Sequence, residues 1–577
     1  MENREIARLL YETADLMEIA AEDGFRIRSY RNAASVIEGY SESIYDIVRN
    51  PERKVTDVPG IGKGLAGVLK EIVVRGSFEK HDQMLEKYPP SALELLKIQG
   101  LGPKSIALLF EHYRVSTVDD LERICKEQKL RELPRMGAKL EEKVLKSIAQ
   151  YRQSAGWFIL RFGHRLAAEL IEYLKETPGV DRITAAGSLR RGRETIGDLD
   201  LLATGPGGEE ALDRFTRHPR VHDVLGRGVN KASVRFGLEG IQVDLRALPE
   251  ENYGAALQYF TGSKEHNVNI RSRALKMGMT LNEYGLVRLA DNVKVAGETE
   301  EGIYAALGLP WIPPELRENC GEIEAALEGR LPKLIEMRDI RGDLHMHTTV
   351  TDGRGTLEEM AQAAKALGYE YIAITDHSKA LAMANGLDEQ RAVDFARQVR
   401  ELNRDGSLGM RIFSGLECDI LRDGKMDLSE DALAELDLVV GSVHSFMNLE
   451  PQEMTDRLLR ALESPNLRIL GHPTGRILMH RDGYPFDFER VAAGAIKNNI
   501  YLEINASPER LDLSSAMVRT ARSMGAKFAI STDSHHPKSL GFNMPYGVLT
   551  ARRGGLEATD VLNTLPLDRF AEAIRKT

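Results

Sequence analysis

The sequence predicts a multidomain protein, α+β in its earlier part and α/β in its last, on three observations. Apolar residues recur at helical spacing, broken by Gly and Pro, from the start to about residue 155. Short β-rich runs such as Ser233–Phe236 and Ile241–Leu245 follow, as in a mixed sheet. Beyond about residue 338, apolar strands (Tyr371–Thr375, Leu438–Val443, Ile500–Ile504, Phe528–Ser531) alternate with helical stretches such as Leu357–Leu367, the pattern of a parallel β/α barrel.

A chain of 577 residues is too long for one hydrophobic core, so several domains are expected. With 42% hydrophobic and 28% charged residues the composition is that of a globular protein, which argues against disorder. There is no long apolar run and no charged-then-apolar leader, so the chain reads as cytoplasmic, with no membrane partner. Cys125, Cys320 and Cys418 form no C-x-x-C pair, so any metal must be held by His and carboxylate. The net charge of −10, with neither half strongly basic, restricts nucleic-acid contacts to local groups. Lys63, Lys70, Lys104 and the cluster Arg190, Arg191 and Arg193 are the candidates, with scattered solvated charge as the alternative.

Val58-Pro-Gly-Ile-Gly-Lys-Gly-Leu-Ala66 and Ile98-Gln-Gly-Leu-Gly-Pro-Lys-Ser-Ile106 share a Gly-x-Gly turn between helical segments, and Leu133-Pro-Arg-Met-Gly-Ala-Lys139 is a weaker third copy. Glycines allow the tight turn and expose N–H groups at the next helix start, where a phosphate docks without base recognition. One such turn is usually a plain connection; two, each with a lysine, point to DNA through Gly60, Gly62, Lys63, Gly100, Gly102 and Lys104. They resemble helix-hairpin-helix motifs, and Tyr30-Arg-Asn-Ala-Ala-Ser-Val-Ile37 resembles the small DNA-end-binding domain of polymerase beta. In relatives that remove sugar phosphate, a lysine in the helix after the first hairpin forms the Schiff base; Val68 stands there.

Gly187-Ser-Leu-Arg-Arg-Gly192 precedes Gly197-Asp-Leu-Asp200, and a strand from Asp198 puts Asp198 and Asp200 on one face. Close carboxylates repel unless a cation compensates them, which calls for divalent metal. Asp244, on another strand, is a third acid assigned to the metal nearest a primer hydroxyl, with Arg246 orienting the carboxylates. Ser188 and Arg191 offer a hydroxyl and a guanidinium fork to a triphosphate, and Gly187 permits close approach.

With Tyr259-Phe-Thr-Gly-Ser263, Asn267 and Arg271 added in order, residues 1 to 312 resemble family X DNA polymerases. The resemblance implies a palm and thumb like those of polymerase beta, and a nucleotide site of Gly187, Ser188, Arg191, Gly197, Tyr259, Phe260, Gly262, Asn267 and Arg271 around the catalytic Asp198, Asp200 and Asp244. Tyr259 and Phe260 taken alone read as packed aromatics. Lys264 replaces the acidic residue of vertebrate members.

Eight of the 14 histidines follow residue 340. Asp343-Leu-His-Met-His347 sets His345 and His347 on one strand face, and Asp352, His377, Glu417, His444, His472, Asp533 and His535 stand at later strand ends. A lone histidine there is usually structural, but nine N/O ligands at the mouth of one barrel form a metal site. The set resembles the PHP domain (polymerase and histidinol phosphatase), which implies a distorted (β/α)7 barrel and up to three Mn2+, Zn2+ or Fe2+, beside Mg2+ or Mn2+ at the polymerase site. Glu417 and Asp533 are candidate bridging ligands, and Arg476 and Lys538 are phosphate contacts or surface residues. His480 and His536 match no ligand position.

The expected domains are 1–90 and 91–155 (helical, one hairpin each), 156–252 (palm), 253–312 (thumb), 313–338 (a linker, from its Pro pairs and acidic run) and 339–577 (PHP). The expected function is gap-filling DNA polymerisation from dNTPs with 3′-5′ exonuclease or related phosphodiesterase action, in a monomer. A polymerase fused to a small-molecule phosphatase or pyrophosphatase, and a non-catalytic DNA-end binder, are the alternatives.

Overall fold

The computed structural model describes residues 3–575 apart from 39, 41, 42, 51, 52, 59, 135, 155, 238 and 407. Pro59 and Arg135, within the first and third hairpin motifs, therefore lie outside the described residues. The chain forms two compact units, Met1–Ala155 and Gly156–Thr577. Among the described residues no helix is long and apolar enough to cross a membrane.

The first unit is helical throughout its described residues and is built on one apolar core. Its two Gly-x-Gly turns end in the helices Lys63–Arg75 and Pro103–Tyr113. Gly60 and Gly100 take positive φ (78° and 96°), and a Cβ on Gly100 would lie 2.9 Å from Leu140, so each turn needs its glycine. Gly62 and Gly102 cap the helices without a side-chain hydrogen bond, which leaves first-turn N–H groups for an anion. Lys63 and Lys104 are exposed beside them. Val68 packs against the core, an apolar role at the position that corresponds to the Schiff-base lysine of lyase-active relatives.

The second unit opens with a five-stranded sheet in the order Arg182–Ala185, Asp198–Thr204, Ile241–Leu248, Lys231–Phe236, Val221–Arg227. Asp198–Thr204 and Ile241–Leu248 run parallel, with Asp200 directly opposite Asp244. Apolar side chains of this sheet and of the helices Leu160–Lys175 and Gly208–Thr216 close one core. A second cluster forms from the helices Lys264–Lys276 and Glu300–Ala306 and a three-stranded sheet of Met279–Asn282, Gly285–Arg288 and Lys294–Ala296.

Seven parallel strands then follow in sequence order: Gly342–Asp343, Tyr371–Ile374, Arg411–Asp419, Leu438–Ser442, Ile469–Leu470, Tyr501–Asn505 and Phe528–Ser531. A bridge between Met346 and Ser534 nearly closes them into the expected barrel. Alternation along the strands sorts the side chains. Tyr371 and Ala373 join the inner cluster while Ile372 and Ile374 join the outer layer. Phe570, from the helix Leu567–Ala573, joins the inner cluster by stacking on Tyr371 at 4.2 Å.

Two expectations need correction. The predicted strand carrying His345 and His347 ends at Asp343, because the backbone after it turns inward to bond the last strand's loop (His347 N–H to Ser534 O, 2.9 Å). The stretch 313–338 is a packed strap and not a linker. Three of its acidic residues, which composition reads as solvated, have partners: Glu315 pairs with Arg552 (2.6 Å), Glu318 with Arg191 and Arg553 (3.0 and 3.1 Å), and Glu322 is hydrogen-bonded to His266 (2.6 Å). Arg317 is wholly buried against Glu300, which also pairs with Arg190 (2.8 Å) and accepts from Trp311 (3.0 Å). Burial opposes ionisation of Glu300, but Arg190 and Arg317 prevail and hold its carboxyl down at about 2.

The barrel also shares the sheet's core. Leu511 and Tyr546 are buried in it, and Leu549 covers Gly192, where a Cβ would come within 2.5 Å.

Trypsin acting on the native protein should spare the bond after Arg317 while cutting exposed sites elsewhere; early cleavage there, read by mass spectrometry, would show a free linker. Glu300→Gln leaves Arg317 buried opposite a neutral amide and should lower the unfolding free energy of this unit by about 3 kcal/mol in denaturant titrations.

Candidate active sites

Period-two alternation and parallel register together bring the three acids of the sheet to one place. Asp198 and Asp200 project from one strand on the same face, and Asp200 faces Asp244 on the next. Burial, then the charges of Asp198 and Asp244, push the Asp200 carboxyl up to about 7, and burial and Asp244 also raise Asp198. Asp244 is buried too, but it falls below the usual range because Lys231 lies 2.5 Å away, with Gln242 donating at 3.2 Å. A site that drives one of its own carboxylates toward protonation is suited to cations, and oxygen-only donors suit hard divalent ones.

Beside the acids lies a cavity of about 370 Å3 lined by Gly187, Ser188, Arg191, Asp198, Asp200, Tyr259, Phe260, Gly262, Asn267 and Arg271, together with Lys264. Gly197, in the bend before the strand, is outside this lining. Gly187 has φ 63°, and a Cβ there would lie 2.7 Å from the Asp200 carboxylate, so glycine is what lets the loop close on the acids. The Ser188 hydroxyl is buried without a hydrogen-bond partner, which fits it to accept a ligand atom.

Arg191 is oriented by Glu318 (3.0 Å) and by donation to the Thr261 carbonyl. Arg190 is turned away from the cavity, pairing with Glu300 and donating to Thr261 Oγ1 (2.7 Å). Asn267 has both amide atoms engaged, donating to the Tyr259 carbonyl (2.7 Å) and accepting from Gln258 (2.8 Å), so it braces the Tyr259 helix. Tyr259 and Phe260 meet edge to face, and Arg246 lies over the Phe260 ring at 4.1 Å as well as 3.8 Å from Asp244. Arg271 is exposed at the cavity.

At the C-terminal ends of the barrel strands all nine predicted ligands converge. His347, Asp352, His377 and His535 form one group, His345, His347 and Asp533 a second, and His377, Glu417 and His444 a third. In each, the donor atoms lie within 4.8 Å of one another. His472 Nε2 lies 2.9 Å from Glu417. Glu417 is the centre, with His345, His347, His377 and His444 also between 2.8 and 3.6 Å from its oxygens.

The fit to metal rests on orphaned atoms. His345 Nε2, both nitrogens of His347 and Glu417 Oε2 are fully buried with no hydrogen-bond partner, an expensive arrangement that cations remove. Burial pushes His347 down to about 3, leaving the neutral imidazole that ligates metal. His472 and Asp533 adopt positive φ (25° and 51°), strain of the kind found where side-chain aim matters more than backbone comfort.

Around these lies a supporting layer that sequence reading missed. Glu503 accepts from His345 Nδ1 (2.7 Å) and from the His472 amide (2.6 Å), and Asp419 holds His444 Nδ1. Asp343 ties the first strand to Thr532, and Asp376 binds Thr348 and Thr351. Arg510 and Asn505 reach Asp533 (3.5 and 3.0 Å). The available signal was a single Glu in the apolar run Tyr501–Ile504 and acids adjoining ligand histidines.

Arg476, read as a phosphate contact or a surface residue, pairs with Glu194 of the sheet domain (3.0 Å) and donates to the Arg510 carbonyl, so its fork is occupied. Lys538 is exposed. His536 caps the helix Pro537–Arg553 by accepting from the Lys538 amide.

Four family patterns match: helix-hairpin-helix domain at 1–78, SAM-like helix-hairpin-helix tandem at 92–150, DNA polymerase beta thumb at 256–318 and PHP domain at 343–507. The chain is 36% identical over 568 residues, 98% of each chain, to DNA polymerase/3′-5′ exonuclease PolX of Bacillus subtilis (strain 168). It is 26% identical over 329 residues to DNA polymerase lambda of Rattus norvegicus, covering 51% of this chain and 53% of that one. It is 32% identical over 209 residues to a probable phosphatase of Shewanella sediminis (strain HAW-EB3), covering 34% and 80%. A match that runs the length of both chains, with the thumb pattern followed in order by the PHP pattern, shows that this chain belongs to the family X DNA polymerases that carry a C-terminal PHP domain.

Proposed function

We propose that the chain is a gap-filling DNA polymerase of DNA repair whose PHP domain removes nucleotides from 3′ ends. The observation that carries the polymerase half is the register that sets Asp200 opposite Asp244 with Asp198 on the same face, beside a cavity holding an unpartnered serine hydroxyl. Asp198, Asp200 and Asp244 would hold Mg2+ or Mn2+, which neutralises the acids and steadies attacking and leaving oxygens. Ser188 and Arg191 bind the triphosphate, with Arg191 already aimed by Glu318 and Thr261. Asp244, kept ionised by Lys231, serves the primer hydroxyl. Tyr259 and Phe260 support the sugar, and Arg271 reaches the template. Gly60, Gly62, Lys63, Gly100, Gly102 and Lys104 take the DNA backbone. Val68, at the position where lyase-active relatives carry the Schiff-base lysine, argues against lyase action by that route.

In the PHP domain, His345, His347, Asp352, His377, Glu417, His444, His472, Asp533 and His535 would hold up to three Mn2+, Zn2+ or Fe2+. Such ions supply the charge that activates water and stabilises the departing oxygen. Glu417, which touches five imidazoles, is the shared ligand. Glu503 and Asp419 fix the tautomers of His345 and His444. We place the protein in the cytoplasm as a monomer, with domains at 1–90, 91–155, 156–252, 253–312 and 339–577 and the strap between the last two. The likeness to a probable phosphatase favours a second reading, hydrolysis of small phosphate esters by the same centre.

The two halves separate by mutation on gapped and recessed labelled DNA. Asp198→Asn with Asp200→Asn should abolish primer extension while DNA binding and 3′ trimming persist; unchanged extension would refute the acid assignment. His345→Ala with His347→Ala should remove bound metal and mononucleotide release but spare extension. Phosphate release from small esters alone, with intact DNA in every lane, would select the second reading. Glu503→Gln should lower nuclease activity or metal affinity by about 10- to 100-fold, measured by titrating manganese into the metal-stripped protein.

A further inference from the structure

Two loops leave the barrel rim side by side, one after the strand Arg411–Asp419 and one after its parallel neighbour Leu438–Ser442. Their first residues belong to the metal centre, since Asp419 holds the ring of His444. A few residues further out, the same loops meet again where the Arg422 guanidinium lies over the Phe446 ring, 5.7 Å from its centre. Phe446 is 53% exposed, a large apolar ring left facing water at the rim of a catalytic mouth.

The placement is built. Phe446 has φ 52°, a left-handed conformation that bulky residues rarely adopt without enforcement. The enforcement comes from Arg457, which is 1% exposed. It donates to the carbonyls of Ser445 (3.0 Å) and Phe446 (3.3 Å) on one loop and to those of Leu421 (2.9 Å) and Ile420 on the other. A buried cation used entirely on main-chain carbonyls fixes two loops relative to each other. Gly424 lets the first loop press on the Arg457 helix, since a Cβ there would lie 2.6 Å from the Arg457 carbonyl.

We propose that Phe446 and Arg422 form a nucleobase platform, on which the base of the 3′-terminal nucleotide stacks while its phosphodiester enters the metal centre. An exposed aromatic ring partnered by a guanidinium is the usual chemistry for holding an unpaired base without reading its identity. A phosphatase for small esters has no use for it. The inference rests on the reading of the PHP domain as a DNA 3′ exonuclease and names its substrate-selecting element.

The test compares two single-stranded oligonucleotides, identical except that one ends in a normal 3′ nucleotide and the other in a base-free tetrahydrofuran residue. Full-length wild type, Phe446→Ala and Phe446→Trp are assayed with manganese and without dNTPs, and bound metal is measured for each. Phe446→Ala should reduce kcat/KM about tenfold or more on the normal end, through KM, with its loss confined to the substrate that has a base. Phe446→Trp should retain wild-type selectivity between the two ends. An equal loss on both substrates, a loss that follows a fall in bound metal, or no loss at all overturns the platform while leaving the exonuclease standing. Failure of wild type to cut either oligonucleotide removes the exonuclease reading itself.

Discussion

Arg553 donates to the main-chain carbonyl of Arg191 and pairs with Glu318, and Glu318 in turn holds the Arg191 guanidinium. Three parts of the chain meet in that contact: the barrel's last long helix, the strap where the thumb pattern ends at residue 318, and the loop that lines the nucleotide cavity. Burial disfavours charge on both Arg553 and Glu318, and Glu318 is held ionised against it by Arg191 and Arg553 together, while Glu318 offsets part of the burial of Arg553. The constraint is mutual. Remove the barrel helix and Glu318 loses a partner, Arg191 loses the clamp on its carbonyl, and Gly192 loses the leucine that covers it. The nucleotidyl site is therefore shaped in part by a domain that supplies none of its ligands.

A second constraint, crowding of like groups, runs through both centres and gives them opposite architectures. The polymerase acids sit at the edge of an open cavity, where solvent and substrate phosphate can complete a cation's coordination, and Lys231 offsets one of them. Five of the PHP ligands, His345, His347, His377, Glu417 and His472, are buried, with Asp352 and His535 at the more open edge, so their charge is balanced by imidazole count and by carboxylates placed behind the rings. An open oxygen site suits magnesium that must turn over with each nucleotide, and an enclosed nitrogen-rich site suits ions that stay.

The sequence made much of this visible because the chemistry is local in it. Asp198 and Asp200 are two apart on a strand, so alternation alone aligns them, and the histidines mark strand ends because barrel loops share one mouth. What stayed hidden depends on distant partners. Nothing near Glu315, Glu318 or Glu322 indicates that arginines elsewhere will pair with the first two and a histidine will hydrogen-bond the third, so the strap reads as solvated linker. Arg190 and Arg191 are indistinguishable as letters, yet one faces the thumb's buried Glu300 and the other the cavity. Glu503 reads as an ordinary strand residue until its strand is set beside His345.

The net charge of −10 also finds its place. Phosphate can be held by lysine, with counterion release, or by main-chain N–H groups at helix starts, which add no formal charge. The first unit presents the second device twice, at Gly62 and Gly102, with a single exposed lysine beside each. Such contacts grip the backbone regardless of sequence and depend on the shape of the turn more than on net charge. A protein that must hold many different DNA ends, while keeping two clusters of acids charged enough to attract metal, gains from this division. Neutral amides at the hairpin turns would let such a protein meet phosphate without adding the positive charge that would compete with metal for its acids.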